Sequence, residues 1–330
     1  MRMERALVTG GCGFIGRHLV EALAERGDTV RVLDLTKGRT PGVEYVRGSV
    51  EDRDAVDQAL ADVDRVYHLA GIPHFWRRDK DDFDRVNRRG TEVVLQAAAA
   101  RRVSRVVHCS TESILLPKRR SRAQVDETAR PALADMPGPY TRSKFLAEQV
   151  ALEAARGGLG VVVVNPTIPI GVGDPNMTPP TAMLALFLSG GSPFFLDCVL
   201  NLADVRDIAD GIVRAGDRGL AGERYILGGD NFPMRDLLPE LERKSGRRMP
   251  RRAVPAGLAL AAGFIAGAVA DQITRTAPVT TREAVQVALR SAPFDSTKAK
   301  RELGYAPRPV DRALTEVVEA FKRNGSGRGA

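Results

Sequence analysis

The 330-residue chain is short of cysteine, of aromatic side chains and of like-charge blocks, and each shortage excludes something. Its three cysteines, Cys12, Cys109 and Cys198, are odd in number and scattered. They give neither a disulfide framework nor a metal-ligand spacing, which points to a reducing compartment. The four histidines, His18, His68, His74 and His108, also lack metal spacing and read as structural. Aromatics are 5% of the residues and no nucleic-acid motif occurs, so no stacking platform for nucleic acid is indicated. The 49 Lys and Arg outnumber the 41 Asp and Glu, but the two signs are interspersed along most of the chain. That basic balance suits an anionic cofactor or an anionic membrane surface, or reflects an Arg-rich composition with no special partner. The first strand pattern begins within a few residues of Met1 and leaves no room for a signal or transit peptide. The expected location is the cytoplasm.

What is present is ordinary globular material, 43% hydrophobic and 27% charged, arranged as alternating strands and helices. An apolar run at 6–8 is followed by a helical pattern from Phe14 through Leu19, Val20 and Leu23. β-Branched or alternating runs at 29–34, 43–48, 65–71 and 105–110 predict further strands, with helices at 52–60 and 83–101. Residues 161–164 are four consecutive valines, as expected of a strand buried on both faces, and 222–227 predicts a late strand. The pattern predicts an α/β fold: a doubly wound, Rossmann-type parallel sheet with a smaller C-terminal substrate domain. The sheet domain is expected over 1–167, with the chain returning to it around 199–228, and the substrate domain mainly over 168–330.

The first strand and helix are joined by a turn rich in glycine. Gly11, Gly13 and Gly16 fit a GxGxxG spacing, and Gly10, Gly13 and Gly16 fit GxxGxxG. Glycine there lets the backbone approach a pyrophosphate, which the free N–H groups at the helix start (Phe14, Ile15, Gly16) then face. Asp34 ends the second strand at the distance expected for holding a ribose hydroxyl. A carboxylate accepts the ribose hydroxyls and repels a 2′-phosphate, which favours NAD. Lys37 and Arg39 follow closely, so NADP stays open.

Tyr140 and Lys144 are four apart at the start of a helical pattern that follows Gly138-Pro139. A phenol on the same face as an ammonium is an acid/base device, because the positive charge favours phenolate. Ser110 and Thr111 place hydroxyls at the end of the fifth strand, on the sheet edge where ligands bind. A hydroxyl there donates to a carbonyl oxygen while the phenol delivers a proton and nicotinamide a hydride.

With these residues in hand, the chain resembles the extended short-chain dehydrogenase/reductases, also called NAD-dependent epimerase/dehydratases. The resemblance rests on the glycine turn, on His68-Leu69-Ala70-Gly71, on Val86-Asn87 through Thr91, on Cys109-Ser110-Thr111 and on Tyr140 to Lys144. It implies Thr111 as the catalytic hydroxyl, Tyr140 as acid/base, and Lys144 as its electrostatic partner and ribose ligand. It also implies Ser49 and Val50 on the adenine side, where the family more often has Asp-Ile or Asp-Val, and Leu69, Ala70 and Gly71 along the cofactor cleft. The segment Asn165-Pro166-Thr167 is similar to that of dihydroflavonol-reductase-like and 3β-hydroxysteroid-dehydrogenase-like members, and puts Pro166 beside the cofactor. Other stretches resemble the hopanoid-associated sugar epimerases. The implied activity is hydride exchange with a secondary alcohol or ketone on a bulky, lipophilic small-molecule substrate, in a homodimer. An NDP-sugar epimerase or dehydratase with tightly held NAD is the alternative, and a non-catalytic dinucleotide-binding regulator a third class.

Three stretches stand apart. Residues 116–139 have little periodicity and read as a long surface loop, a candidate lid. Residues 253–270 are an uninterrupted apolar run behind Arg247, Arg248, Arg251 and Arg252. They read as a helix buried in the small domain or a dimer interface, or as a peripheral membrane contact. The polar, Gly-rich tail 324–330 is expected to fray.

Overall fold

The computed structural model describes residues 4–326. Strand β1 (Arg5–Thr9) leads through the glycine turn into α1 (Phe14–Glu25), β2 (Thr29–Asp34) and β3 (Glu44–Arg47). Helix α2 (Arg53–Ala59) starts on Asp52, whose carboxylate accepts from the Asp54 and Ala55 N–H groups, and leads to β4 (Arg65–His68). The long helix expected over 83–101 is not uniform. A short α3 (Asp81–Phe83) widens into a π-helical stretch, Asp84–Arg89, before α4 (Gly90–Ala100). Such wide turns re-aim side chains, and this one carries Asn87.

Next come β5 (Arg105–Cys109), α5 (Pro139–Arg156), β6 (Val161–Pro166) and β7 (Ile168–Ile170). They are followed by α6 (Pro179–Leu188), β8 (Phe194–Phe195), β9 (Val199–Asp204), α7 (Val205–Arg218) and β10 (Arg224–Leu227). The last part holds β11 (Asp230–Pro233), α8 (Met234–Ser245), β12 (Arg252–Ala253) and α9 (Ala256–Val269). Helices α10 (Arg282–Leu289), α11 (Thr297–Leu303) and α12 (Asp311–Ser326) complete it. Residues 324–326 close α12 rather than fray, and the rest of that tail, 327–330, lies outside the described residues.

Seven strands form one parallel sheet in the order β10-β6-β5-β4-β1-β2-β3. The order reverses between β1 and β4, so the crevice beyond their carboxyl ends is the place for a ligand. Every residue of β6 is buried, because helices cover both faces of the sheet. One face packs on α1 and α7 and holds Tyr67, Tyr225 and Leu303 of α11; the other packs on α2, α4 and α5. The chain thus re-enters the sheet layer through α7 and β10, and again through α11. A second core joins α6, β9, α8 and α12 around Leu202, Leu237 and Leu314.

Two expectations need correction. The 116–139 loop is tied down rather than poised as a lid. Val125 pairs with Phe294, and its N–H donates to Pro293 O at 2.8 Å. The buried Glu127 carboxylate accepts the Ile226 N–H at 2.7 Å. Helix α9 is not buried either. It touches the body through small residues, Ala259, Gly263 and, just beyond it, Ala270, while Leu258 is 64% exposed, Phe264 59% and Ile265 61%.

Candidate active site

The glycine turn closes tightly on the loop after β4. Gly10 has φ +72°, and a Cβ there would sit 2.7 Å from the Ala70 nitrogen. A Cβ on Gly16 would collide with the Gly10 carbonyl oxygen, so α1 can begin this close to the turn only with glycine. Gly13 is the N-cap of α1, and no side chain caps this end. Among the described residues, the N–H groups of Phe14, Ile15 and Gly16 have no acceptor. These orphan donors at the positive end of a helix fit a pyrophosphate. Asp34 Oδ2 accepts the Cys12 N–H at 3.0 Å, while Oδ1 accepts from the Thr36 N–H at 3.0 Å and its hydroxyl at 3.1 Å. The carboxylate is held across the mouth of the turn with acceptor capacity left for a ribose hydroxyl.

The other residues expected around a cofactor stand at or just past the carboxyl ends of β3, β4 and β6. Leu69 and Ala70 donate their N–H groups to the carbonyl and hydroxyl of Thr9, at 3.1 and 3.2 Å. Gly71 is exposed, and a Cβ there would come 2.9 Å from Asn87 Oδ1. Val50 is buried against Gly90, while the Ser49 hydroxyl accepts the Glu51 N–H at 3.2 Å. Pro166 ends β6, buried and in register with Leu227.

Tyr140 lies in the first turn of α5, its ring edge-on to Phe75 at 5.0 Å between centroids and to Phe83 at 6.4 Å. Thr111 follows β5, near enough to the Tyr140 phenol to act on its pKa. The Thr111 hydroxyl donates to Glu112 Oε2 at 2.9 Å and accepts the Ser113 N–H at 3.2 Å. Ser110, the neighbouring hydroxyl, is buried and has no partner among the described residues. Lys144, one turn beyond Tyr140, donates from Nζ to the Cys109 carbonyl at 2.7 Å. The expectation that its ammonium draws the phenol's pKa down is not met. Burial pushes Tyr140 up, the Glu112 carboxylate adds to that, and the nearby Thr111 hydroxyl offsets only part. Burial also lowers Lys144, against the opposing pull of Cys109 and Glu148.

Three supporting residues escaped a motif reading as individuals. Glu112 stands beside Thr111, and burial raises its pKa; its sequence neighbour was the available signal. Asn87 Oδ1 accepts the Ile72 N–H at 2.7 Å and its Nδ2 donates to Ser143 Oγ at 2.9 Å; Ser143 in turn donates to the Tyr140 carbonyl at 2.8 Å. Glu283 on α10 accepts the N–H groups of Tyr140 (3.2 Å) and Thr141 (2.8 Å) and the Thr141 hydroxyl (2.7 Å). It caps the catalytic helix from far along the chain, and no local pattern announces it. Behind Glu112 lies a cavity of about 50 Å³ lined mainly by apolar side chains, among them Leu116, Ile168, Val199 and Val287. No group of three or more metal-capable side chains occurs among the described residues.

The pattern of the NAD-dependent epimerase/dehydratase family matches residues 6–228, from β1 through β10. The chain belongs to this family. A Synechocystis sp. protein named for dihydroflavonol 4-reductase is 32% identical over 327 residues, covering 96% of this chain and 94% of its own. The 4-hydroxy-2-methyl-3-oxo-4-farnesyl-3,4-dihydroquinoline-1-oxide ketoreductase of Stigmatella aurantiaca is 31% identical, covering 99% of this chain and 98% of its own. Among solved structures, the dTDP-glucose 4,6-dehydratase DesIV of Streptomyces venezuelae, with NAD bound, superposes with a TM-score of 0.78. It is 25% identical and covers 98% of each chain. This family member is therefore an NAD-dependent enzyme of the oxidoreductase type, and the orphan donors of α1 with Asp34 are the groups that fit the cofactor.

Proposed function

We propose that this enzyme interconverts a secondary alcohol and a ketone on a bulky, largely apolar substrate of steroid-, terpenoid- or flavonoid-like character, with Tyr140 as acid/base. The observation that carries this reading is the placement of two hydroxyls at the carboxyl edge of the sheet, Thr111 just after β5 and Tyr140 in the first turn of α5, with Lys144 one turn along that helix. NAD, when bound, takes up or supplies the hydride. In the oxidation, Tyr140 acts once deprotonated, its phenolate oxygen taking the proton of the substrate hydroxyl as the substrate carbon loses hydride; in the reduction the phenol returns that proton to the carbonyl oxygen. Thr111 orients the reacting oxygen, and Lys144 compensates phenolate charge one helical turn away. Relatives named for a farnesylated quinoline and a dihydroflavonol support a lipophilic substrate.

The likeness to DesIV favours a second reading, hydride removal and return within one turnover of an NDP-sugar. A panel of hydroxysteroids, terpenoid alcohols and flavanols assayed for reduced-nicotinamide absorbance decides between them. NADH formed in proportion to alcohol oxidised supports the proposal. Conversion of a UDP- or dTDP-sugar without net NADH overturns it.

A further inference from the structure

Helix α9 and its π-helical continuation (Ala270–Thr274) make a 19-residue apolar element, Ala256–Thr274, that stays largely exposed. By length and composition such a helix can cross a membrane, but its contacts lay it along the body instead. Ala259, Gly263 and Ala270 fall on one stripe of a 3.6-residue repeat. Gly263 sits so close to α10 that a Cβ would come 2.9 Å from the Thr281 backbone. At the far end, the Asp271 carboxylate accepts from Trp76 Nε1 and from Lys80 Nζ, each at 2.8 Å. A helix fastened sideways at its middle and its far end lies against the body rather than standing free to thread a bilayer. The large side chains, Leu258, Phe264, Ile265, Val269 and Ile273, are exposed.

Unpaired cations flank this helix along the chain. Arg248 and Arg252 precede the helix, Arg275 follows it, and Arg282 opens α10 beside Gly263. All four are exposed and have no ion-pair partner among the described residues. Arg251 is also exposed but is paired with Glu242. An exposed apolar helix flanked by free guanidinium groups matches an acyl-chain boundary beneath anionic headgroups.

We infer that α9 is a membrane-docking helix, lying in the headgroup interface of an anionic bilayer with Leu258, Phe264 and Ile265 in the acyl boundary and the flanking arginines on lipid phosphates. The placement bears on catalysis. Trp76, bonded to Asp271, is adjacent to Phe75, whose ring packs on Tyr140; Glu283, two residues beyond Thr281, caps the helix that carries Tyr140. The docked surface therefore adjoins the wall of the site, where a lipid-soluble substrate would arrive. The surface itself does not depend on the proposed reaction, since docking is measured without substrate.

The test is flotation of the full chain with vesicles of equal parts phosphatidylcholine and phosphatidylglycerol, against phosphatidylcholine alone. The expected result is co-flotation with the anionic vesicles and at least about tenfold weaker partition into the neutral ones. The double variant Phe264→Glu/Ile265→Glu should lose about tenfold or more of the anionic partition while retaining NAD binding, which shows it folded. Failure of the wild type to float, or equal flotation of the variant, overturns the inference. So does a wild type that stays out of the vesicles and sediments as a dimer which the variant dissociates; the face then belongs to a second copy of the chain.

Discussion

Tyr140 is buried and near a carboxylate, and this combination keeps its proton on until substrate and cofactor change its surroundings. Replacing it with phenylalanine removes one oxygen and leaves the ring between Phe75 and Phe83. We expect Tyr140→Phe to lower kcat by about 10²- to 10⁴-fold with NAD affinity within about twofold, as read by turnover and cofactor titration. Unchanged turnover would remove Tyr140 from the chemistry. Asp34 makes a different kind of contact. Its carboxylate both braces Cys12 and faces the ribose position, so Asp34→Ala should narrow the NAD-over-NADP preference about tenfold or more. A constant ratio of kcat/KM for the two cofactors would show that another group discriminates. These residues were legible because each sits at a fixed offset from a strand end or helix start. The pKa direction of Tyr140 was not, because burial is a property of the whole fold, and here burial is the largest cause.

Helix α5 shows what an element needs beyond its own sequence. Gly138 and Pro139 start it, but its first N–H groups are satisfied by Glu283 from α10, and Asn87 from the π-helical turn holds Ser143. The strand–helix alternation of the sheet domain could be read from hydrophobic periodicity, since each element there carries its own pattern. The π-turn and the Glu283 cap could not, since both are solved by partners distant in sequence. The apolar run at 253–270 marks the same limit from the other side: its composition specified a helix, but only packing could show that the large side chains face outward. Glu283 is a positioning residue, so Glu283→Ala should lower the unfolding midpoint, with a stability loss of about 1–2 kcal/mol as for a lost helix cap. It should also reduce kcat more than the KM for NAD. Glu283→Gln, which keeps an acceptor for the Thr141 N–H, should recover part of both. Equal damage to kcat and to NAD affinity in the two variants would mean a general loss of structure instead.

Across the whole molecule, the sheet pays for its tight centre with two buried imidazoles. His68 and His108 pair in register on β4 and β5, with ring centroids 5.5 Å apart, under Lys144. Burial and the nearby ammonium push the His68 pKa down to about 3 and that of His108 well below its usual value. Both rings are therefore neutral when folded, whereas in the unfolded chain they take protons below about pH 6.5. The unfolded state gains protons first, so stability is full above that pH and falls as pH drops toward the folded-state values. Each ring contributes up to about 1.4 kcal/mol per pH unit, and the pair should remove about 3–4 kcal/mol between about pH 7.5 and about pH 5. His68 is bonded to Thr9 at 2.7 Å and to Thr91 at 2.9 Å, so removing it would also break two buried hydrogen bonds. His108 has no partner for either ring nitrogen among the described residues, which makes it the cleaner probe. Urea unfolding of His108→Leu over that range should show about half the wild-type acid sensitivity of this pair, with stability near neutral pH held or improved because no hydrogen bond is lost. An undiminished pH slope in that variant would place the acid sensitivity elsewhere in the fold.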